Sequence, residues 1–251
     1  MIKLKPVIKE YIWGTESWQV STHPDGLSTI ANGINAGKTL KEVLGHNLPI
    51  LIKIIDAHDN LSLQVHPNDE YAHRVENQSG KNEMWYITAA QPGAELILGF
   101  KEPLSKDELR NRIQNNTILE KVNYVPVKAG DCYCVPAGML HAIGKGIKII
   151  EVQQSSNVTY RVYDYDRRDS HGNPRELHID KAIDVLDTTL KPQMPTKEPV
   201  QNANTITLAD WDYFHSELQT AQDGKTQQLR CNVENFETLT TLETGETVFI
   251  L

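Results

Sequence analysis

An all-β fold with a few helices is predicted for this chain of 251 residues, and three features of the sequence predict it. Short runs rich in Val, Ile, Tyr and Phe recur along most of its length, each closed by Gly, Pro, Asn or Asp. Such spacing belongs to barrels and sandwiches. Several runs also alternate apolar with polar residues, as a strand with one polar face must. Helical signals, by contrast, are few and short.

Taken in order, strands are expected over 49–56, 61–66, 83–89, 94–100, 122–127, 131–135, 148–153 and 158–165. A short helix begins at the capping box Thr39-Leu40-Lys41-Glu42 and stops at Gly45, and Asn68 caps a turn over 70–75. A second capping box, Ser105 with Glu108, and a hydrophobic staple of Leu104 on Leu109 start a helix over 106–115. The spacing of Ile179, Ile183 and Leu186 predicts one more helix over 178–186. Pro192, Pro195 and Pro199 stand among polar residues in 190–204, which reads as a linker. The chain thus divides into a first domain, 1–190, a linker, 191–204, and a partial C-terminal β unit, 205–251, with strand-like runs at 205–208, 236–242 and 247–251. A terminal apolar strand left open invites pairing, so the second unit is expected to be truncated or completed by another chain.

The formal net charge of -8 disfavours nucleic acid and anionic membrane as partners, since both need a basic field. Cys132, Cys134 and Cys231 form neither a C-x-x-C motif nor an even framework, which predicts reduced thiols in a cytoplasmic setting. The opening Met1-Ile2-Lys3-Leu4-Lys5-Pro6 has no apolar core of a leader, and no later run approaches a membrane span. The oligomeric state is left open between monomer and homodimer.

The chemistry begins at Leu61-Ser62-Leu63-Gln64-Val65-His66. Alternation places Leu61, Leu63 and Val65 on one face and Ser62, Gln64 and His66 on the other. Further on, Gly130-x5-Pro136-x-Gly138-x2-His141 has the spacing of the second cupin motif: a strand, a tight turn, and a His emerging into a barrel. Glu83 shares a strand face with Trp85 and Ile87 and is expected to point inward, where a carboxylate needs a partner or a metal. Gln64, His66, Glu83 and His141 together make a mixed N/O donor set that suits one Zn2+ per chain with an open position. The same donors accept Fe2+, Mn2+ or Ni2+. These features specify a cupin or jelly-roll barrel, of bicupin type with an incomplete second barrel.

Four segments carry a resemblance to a known family: 61–71 (Leu-Ser-Leu-Gln-Val-His-Pro-Asn-Asp-Glu-Tyr), 80–86 (Gly-Lys-Asn-Glu-Met-Trp-Tyr), 135–141 (Val-Pro-Ala-Gly-Met-Leu-His) and 160–167 (Tyr-Arg-Val-Tyr-Asp-Tyr-Asp-Arg). In order and spacing they resemble type I mannose-6-phosphate isomerase in its shorter bacterial form, over about residues 4–186. The resemblance implies a zinc-dependent cupin enzyme that interconverts mannose 6-phosphate and fructose 6-phosphate. It implies metal ligation by Gln64, His66, Glu83 and His141, an active-site role for Arg161, and a contact between Ser62 and the phosphate. The chain is shorter than the family between Gly14 and Glu16, before Pro49, and in its C-terminal unit.

Aldose–ketose isomerisation moves a proton between adjacent carbons through an enediolate, so it needs a cation near the oxyanion, a base and a phosphate anchor. Arg161 stays charged at any working pH and suits oxyanion or phosphate, not base work. Lys81 shares the face of Glu83 by alternation and is a candidate for substrate binding or proton transfer. Glu151, on the face of Ile147, Ile149 and Gln153, is the candidate base. Arg167 and Arg168 read as a structural ion-pair cluster, Trp13 as packing, and Trp18 as pocket wall or core. Two rival readings stand beside the isomerase: a non-catalytic cupin that binds or senses a phosphorylated sugar, and, last, a cupin oxygenase.

Overall fold

The computed structural model describes residues 1–168, 171–193, 205–221, 224–233 and 236–250. Strands β1 (Ile2–Lys5), β2 (Val7–Tyr11), β3 (Gly14–Val20) and β4 (Thr29–Ile30) come first, then helix α1 (Leu40–Leu44). There follow β5 (Ile50–Ala57), β6 (Leu63–Val65), α2 (Asp69–Glu76), β7 (Glu83–Ala90), β8 (Glu95–Phe100) and α3 (Lys106–Gln114). Next are β9 (Val122–Pro126), β10 (Cys132–Val135), β11 (His141–Ile143), β12 (Ile147–Gln154), β13 (Tyr160–Tyr163) and α4 (Ile179–Val185). The last part holds β14 (Thr205–Trp211), β15 (Phe214–Thr220), β16 (Gln227–Val233), β17 (Phe236–Thr241) and β18 (Thr247–Ile250).

Three antiparallel sheets result, in the strand orders β10-β7-β12-β5-β3-β2, β13-β6-β11-β8-β9 and β14-β15-β16-β17-β18-β1-β4. The first two face each other as the walls of the barrel. Trp85, Ile87, Ile147 and Ile149 from one wall meet Leu96, Leu98 and Ile143 from the other. Alternation sends their neighbours Met84, Tyr86, Ile150 and Val152 to the opposite face, where they pack on Leu208, Phe214, Leu229 and Phe249 of the third sheet. The outer face of the second wall carries Leu63, Val65, Leu140 and Val162, covered by Leu109 and Ile113 of α3 and Ala182 and Ile183 of α4. The all-β, cupin-like fold predicted above is therefore present, with a third sheet on its back.

The helices start where their caps are. Thr39 and Glu42 form both bonds of a capping box on α1. Ser105 accepts from the Glu108 backbone on α3, and Asn68 from Tyr71 on α2. The second bond of the predicted Ser105 box is absent from its cap, because the Glu108 carboxylate lies 3.6 Å from Arg112 and 3.7 Å from Lys121.

Three expectations change. Strand β6 is only Leu63–Val65, so alternation does not reach Leu61; it lies in the barrel core, whereas Leu63 and Val65 face the helices. The terminal apolar strand is not open: β18 pairs with β17 on one side and with β1 on the other. The partition at 190 assigns Ile2–Lys5 to the first unit, but its hydrogen bonds go to β18 and to β4 within the third sheet. Of the predicted linker, 194–204 lies outside the described residues. Among the described residues no helix is long and apolar enough to cross a membrane.

Candidate active site

Register sets the site. In the second wall His141 of β11 lies opposite Gln64 of β6, and Gln64 lies opposite Arg161 of β13. One row across the sheet thus carries an imidazole, an amide and a guanidinium. In the facing wall Trp18, Lys53, Glu151 and Trp85 form another row, with Trp18 opposite Lys53, Lys53 opposite Glu151 and Glu151 opposite Trp85. Glu83 stands at the start of β7, opposite Gln153 and Val135.

His66, Glu83 and His141 are buried, and each offers one ligand atom within 4.8 Å of the others. Both rings are oriented from behind. His66 Nδ1 donates to the Val158 carbonyl at 2.8 Å and His141 Nδ1 to the Met139 carbonyl at 2.9 Å. Those carbonyls assign the proton to Nδ1 in each ring, which leaves two Nε2 lone pairs facing each other only 3.1 Å apart. Neither can donate to the other. The Glu83 carboxylate lies 3.3 Å from His66 Nε2, and neither of its buried oxygens makes a well-formed hydrogen bond. Two converging lone pairs and a buried carboxylate call for a cation, and carbonyl-backed imidazoles are the usual outer support of metal ligands. The Gln64 amide reaches to 3.4 Å of His141 Nε2, with its oxygen 3.5 Å from Ser62 Oγ.

The electrostatics agree. Burial, then the neighbouring Lys81, push the His66 imidazolium down to about 3, and burial lowers His141 as well. Both rings are neutral at working pH, as ligands must be. Burial alone would raise the Glu83 carboxyl, but Lys81, His66 and His141 hold it well below the usual carboxylate range. Lys81 is not on a strand, yet it turns inward: Nζ lies 2.5 Å from Glu83 and 3.2 Å from His66 Nε2.

These groups adjoin a cavity of about 290 Å³ lined by Ser62, Gln64, Lys81, Glu151 and Arg161, among others. Five of the eight sequence-predicted residues line it directly, and His66, Glu83 and His141 sit behind Gln64 and Lys81. Glu151 receives Trp85 Nε1 at 2.9 Å and faces Lys53 Nζ at 3.1 Å. Burial, and then repulsion from Glu83, raise its carboxyl above the ordinary value. Lys53 is raised as well, since Glu151 and Glu16 outweigh the cost of its burial. Arg161 donates to the Glu176 carbonyl at 2.7 Å and keeps a buried Nε without a partner, while its own backbone N–H is fixed on His178 Nδ1 at 3.2 Å.

Sequence reasoning missed Lys53, Glu16, Arg175 and Tyr11, all of which line the cavity. Lys53 did carry a signal: it interrupts the apolar run Ile50-Leu51-Ile52-Lys53-Ile54-Ile55, where a lone charge implies a buried ion pair. Of the two readings of Trp18, core is the one found; Trp13 packs in the barrel core, as expected, and its ring, stacked on Tyr11, also forms part of the cavity wall. Arg167 pairs with Asp164, in keeping with a structural cluster.

A jelly-roll barrel that turns two histidines and a glutamate toward a charged cavity defines a metal-binding cupin. Residues 14–102 match the model of the phosphomannose isomerase type I catalytic domain. Mannose-6-phosphate isomerase ManA of Bacillus subtilis is 41% identical over 240 residues, covering 84% of this chain and 76% of the relative. Mannose-6-phosphate isomerase of Streptococcus mutans is 45% identical over 212 residues, covering 79% of this chain and 66% of the relative. The crystal structure of the Bacillus subtilis mannose 6-phosphate isomerase superposes with a TM-score of 0.83 at 31% identity, over 99% of this chain and 96% of that one. A zinc-bound mannose 6-phosphate isomerase shares the fold, with a TM-score of 0.65 at 16% identity over 87% of this chain and 83% of that one. The chain belongs to the mannose-6-phosphate isomerase family.

Proposed function

We propose that this protein is a metal-dependent aldose–ketose isomerase that interconverts mannose 6-phosphate and fructose 6-phosphate in the cytoplasm. One observation carries the reading: two imidazole nitrogens and a buried carboxylate converge beside a cavity lined by both acids and arginines, in a chain of this family. His66, Glu83 and His141, with the oxygen of Gln64, are the residues that would hold the ion. Two nitrogens and two oxygens suit one Zn2+ per chain. When bound, Zn2+ supplies a redox-inert Lewis acid beside the carbonyl end of the substrate.

The chain's own residues supply the rest. Glu151, with its carboxyl raised by burial, is the group to hold the proton in transit between the two carbons. Lys53 and Trp85 fix its two oxygens from opposite sides. Lys81, beside Glu83, offers its ammonium to substrate oxygens. Arg161 stabilises negative charge with its unpartnered Nε, and Ser62 offers a hydroxyl to the phosphate.

The test is turnover. Mannose 6-phosphate is given to the purified protein and fructose 6-phosphate is read through a coupled nicotinamide signal, before and after chelation. Activity that vanishes on chelation and returns with Zn2+ is expected. A metal-loaded protein that binds sugar phosphate without turnover would replace the enzyme by a binding or sensing module. Arg161→Ala is expected to lose most of kcat at unchanged metal content.

A further inference from the structure

Arg175 was not among the residues the sequence pointed to, yet it lines the same cavity as Arg161. Its guanidinium is held from behind. Nε donates to Asp164 Oδ2 at 2.6 Å, and Nη2 pairs with Asp164 Oδ1. The same buried carboxylate also accepts from Arg167 Nη2 at 2.6 Å. Arg167 is tied down separately on the Asn60 carbonyl at 2.5 Å. One carboxylate therefore anchors two guanidiniums, and Arg161 beside them has none of its own. Arg167 has a second carboxylate, Asp59 at 3.6 Å, so Asp164 is left chiefly to hold Arg175. The pairing uses Nε and one terminal nitrogen of Arg175 and leaves the other terminal nitrogen outside it.

Position adds to charge. Arg161 is two strands from His141 in one row of the sheet, with Gln64 between them. Two strand spacings are roughly 10 Å, the scale of an open hexose between its carbonyl end and a terminal phosphate. Two guanidiniums match a phosphate dianion in charge and in the geometry of their forks.

We propose that Arg175 is a second substrate-binding residue, forming with Arg161 a two-guanidinium subsite for the phosphate, and that Asp164 is the positioning residue that aims it. The inference rests on the isomerase reading for the identity of the substrate, though not for the anion it recognises.

Inorganic phosphate is the probe, titrated calorimetrically into the metal-loaded protein and used as a competitive inhibitor of turnover. For Arg175→Gln, phosphate affinity and the KM for mannose 6-phosphate are expected to worsen about tenfold or more, the loss of a charge-assisted contact. Metal content and kcat should stay near their starting values. Asp164→Asn should shift KM in the same direction by less, since Arg167 and the backbone remain. Arg175→Lys keeps a cation beside Asp164 and guards against loss of folding; it is expected to bind phosphate several-fold more weakly, because a compact ammonium lacks the planar fork that bonds a carboxylate on one edge and a phosphate on the other. An Arg175→Gln protein that folds and binds phosphate as tightly as the parent overturns the proposal, and so does a loss confined to kcat or Tm. Calorimetry needs no turnover, so a protein that binds phosphate through Arg175 but does not isomerise the sugar would overturn the isomerase reading and leave the subsite standing.

Discussion

Replacing Lys53 with Met tests whether the charged row behind the cavity is an ion pair in the folded protein. Lys53 and Glu151 are each 3% exposed and lie 3.1 Å apart. Coulomb attraction at that distance is about 5 kcal/mol with an effective dielectric of about 20. Removing the ammonium leaves Glu151 buried with only Trp85 as donor, a situation that typically costs about 3–5 kcal/mol. Protonation offers the orphan an escape. Its carboxyl is already raised by burial and by Glu83, and a folded-state value above the unfolded one means that the folded state takes up the proton first. The penalty should therefore be largest near neutral pH and shrink as pH falls toward about 5. Urea unfolding followed by tryptophan fluorescence measures it, since Trp18 and Trp85 flank the pair. Lys53→Met with Glu151→Gln keeps the acceptor for Trp85 and should recover more than about 1 kcal/mol of the loss. A Lys53→Met penalty below about 1 kcal/mol, flat from about pH 5 to 8, would show that no ion pair exists there.

Three further outcomes are expected. His66→Ala should abolish stoichiometric Zn2+ binding, read by atomic absorption after dialysis, and with it the rise in Tm that added Zn2+ gives the parent. Burial opposes protonation of His215, yet hydrogen bonds to Glu217 and Asp210 raise it above the ordinary value. The stability it adds is complete below its unfolded value and fades as pH rises through the folded one, so the parent's advantage over His215→Gln should be larger near about pH 5.5 than near about pH 8.5 in urea titrations. Ser105→Ala removes the side-chain acceptor at the start of α3 and should cost about 1 kcal/mol in the same assay, with no change in metal content.

What the sequence made legible was what obeys local rules. Glu83 and Glu151 could be aimed inward because each sits on a strand whose neighbours alternate, Trp85 and Ile87 for one, Ile147 and Ile149 for the other. Leu61 shows the limit of that rule, since alternation ends where the ladder ends, and β6 is three residues long. The partners of Lys53 were illegible because its pairing with Glu151 and Glu16 depends on the register of β3, β5 and β12, which no local pattern specifies. Arg175 was hidden for a similar reason: what brings it to the cavity is a buried carboxylate eleven positions earlier, and nothing in the spacing marks that pair. The strands over 2–5, 7–11 and 14–20 were missed as strands because Lys and Glu interrupt their apolar residues, while the Ile2–Lys5 pairing is a contact with the far end of the sequence.

That pairing has a consequence for the order of assembly. The sheet on the back of the barrel joins residues 2–5 to residues 247–250, so this seam cannot form until both are present and the intervening chain has been drawn in. Closing so long a loop is entropically slow. The barrel walls need much shorter closures, such as β5 with β12 or β6 with β11, and can form earlier. During synthesis the residues that line the cavity would thus meet before the seam is sealed, leaving Ile50, Ile52 and Val152 waiting for their cover from Phe249 and Leu229. Hydrogen exchange at the backbone of β1 and β18 would report this seam as a single opening unit, gained last and lost together.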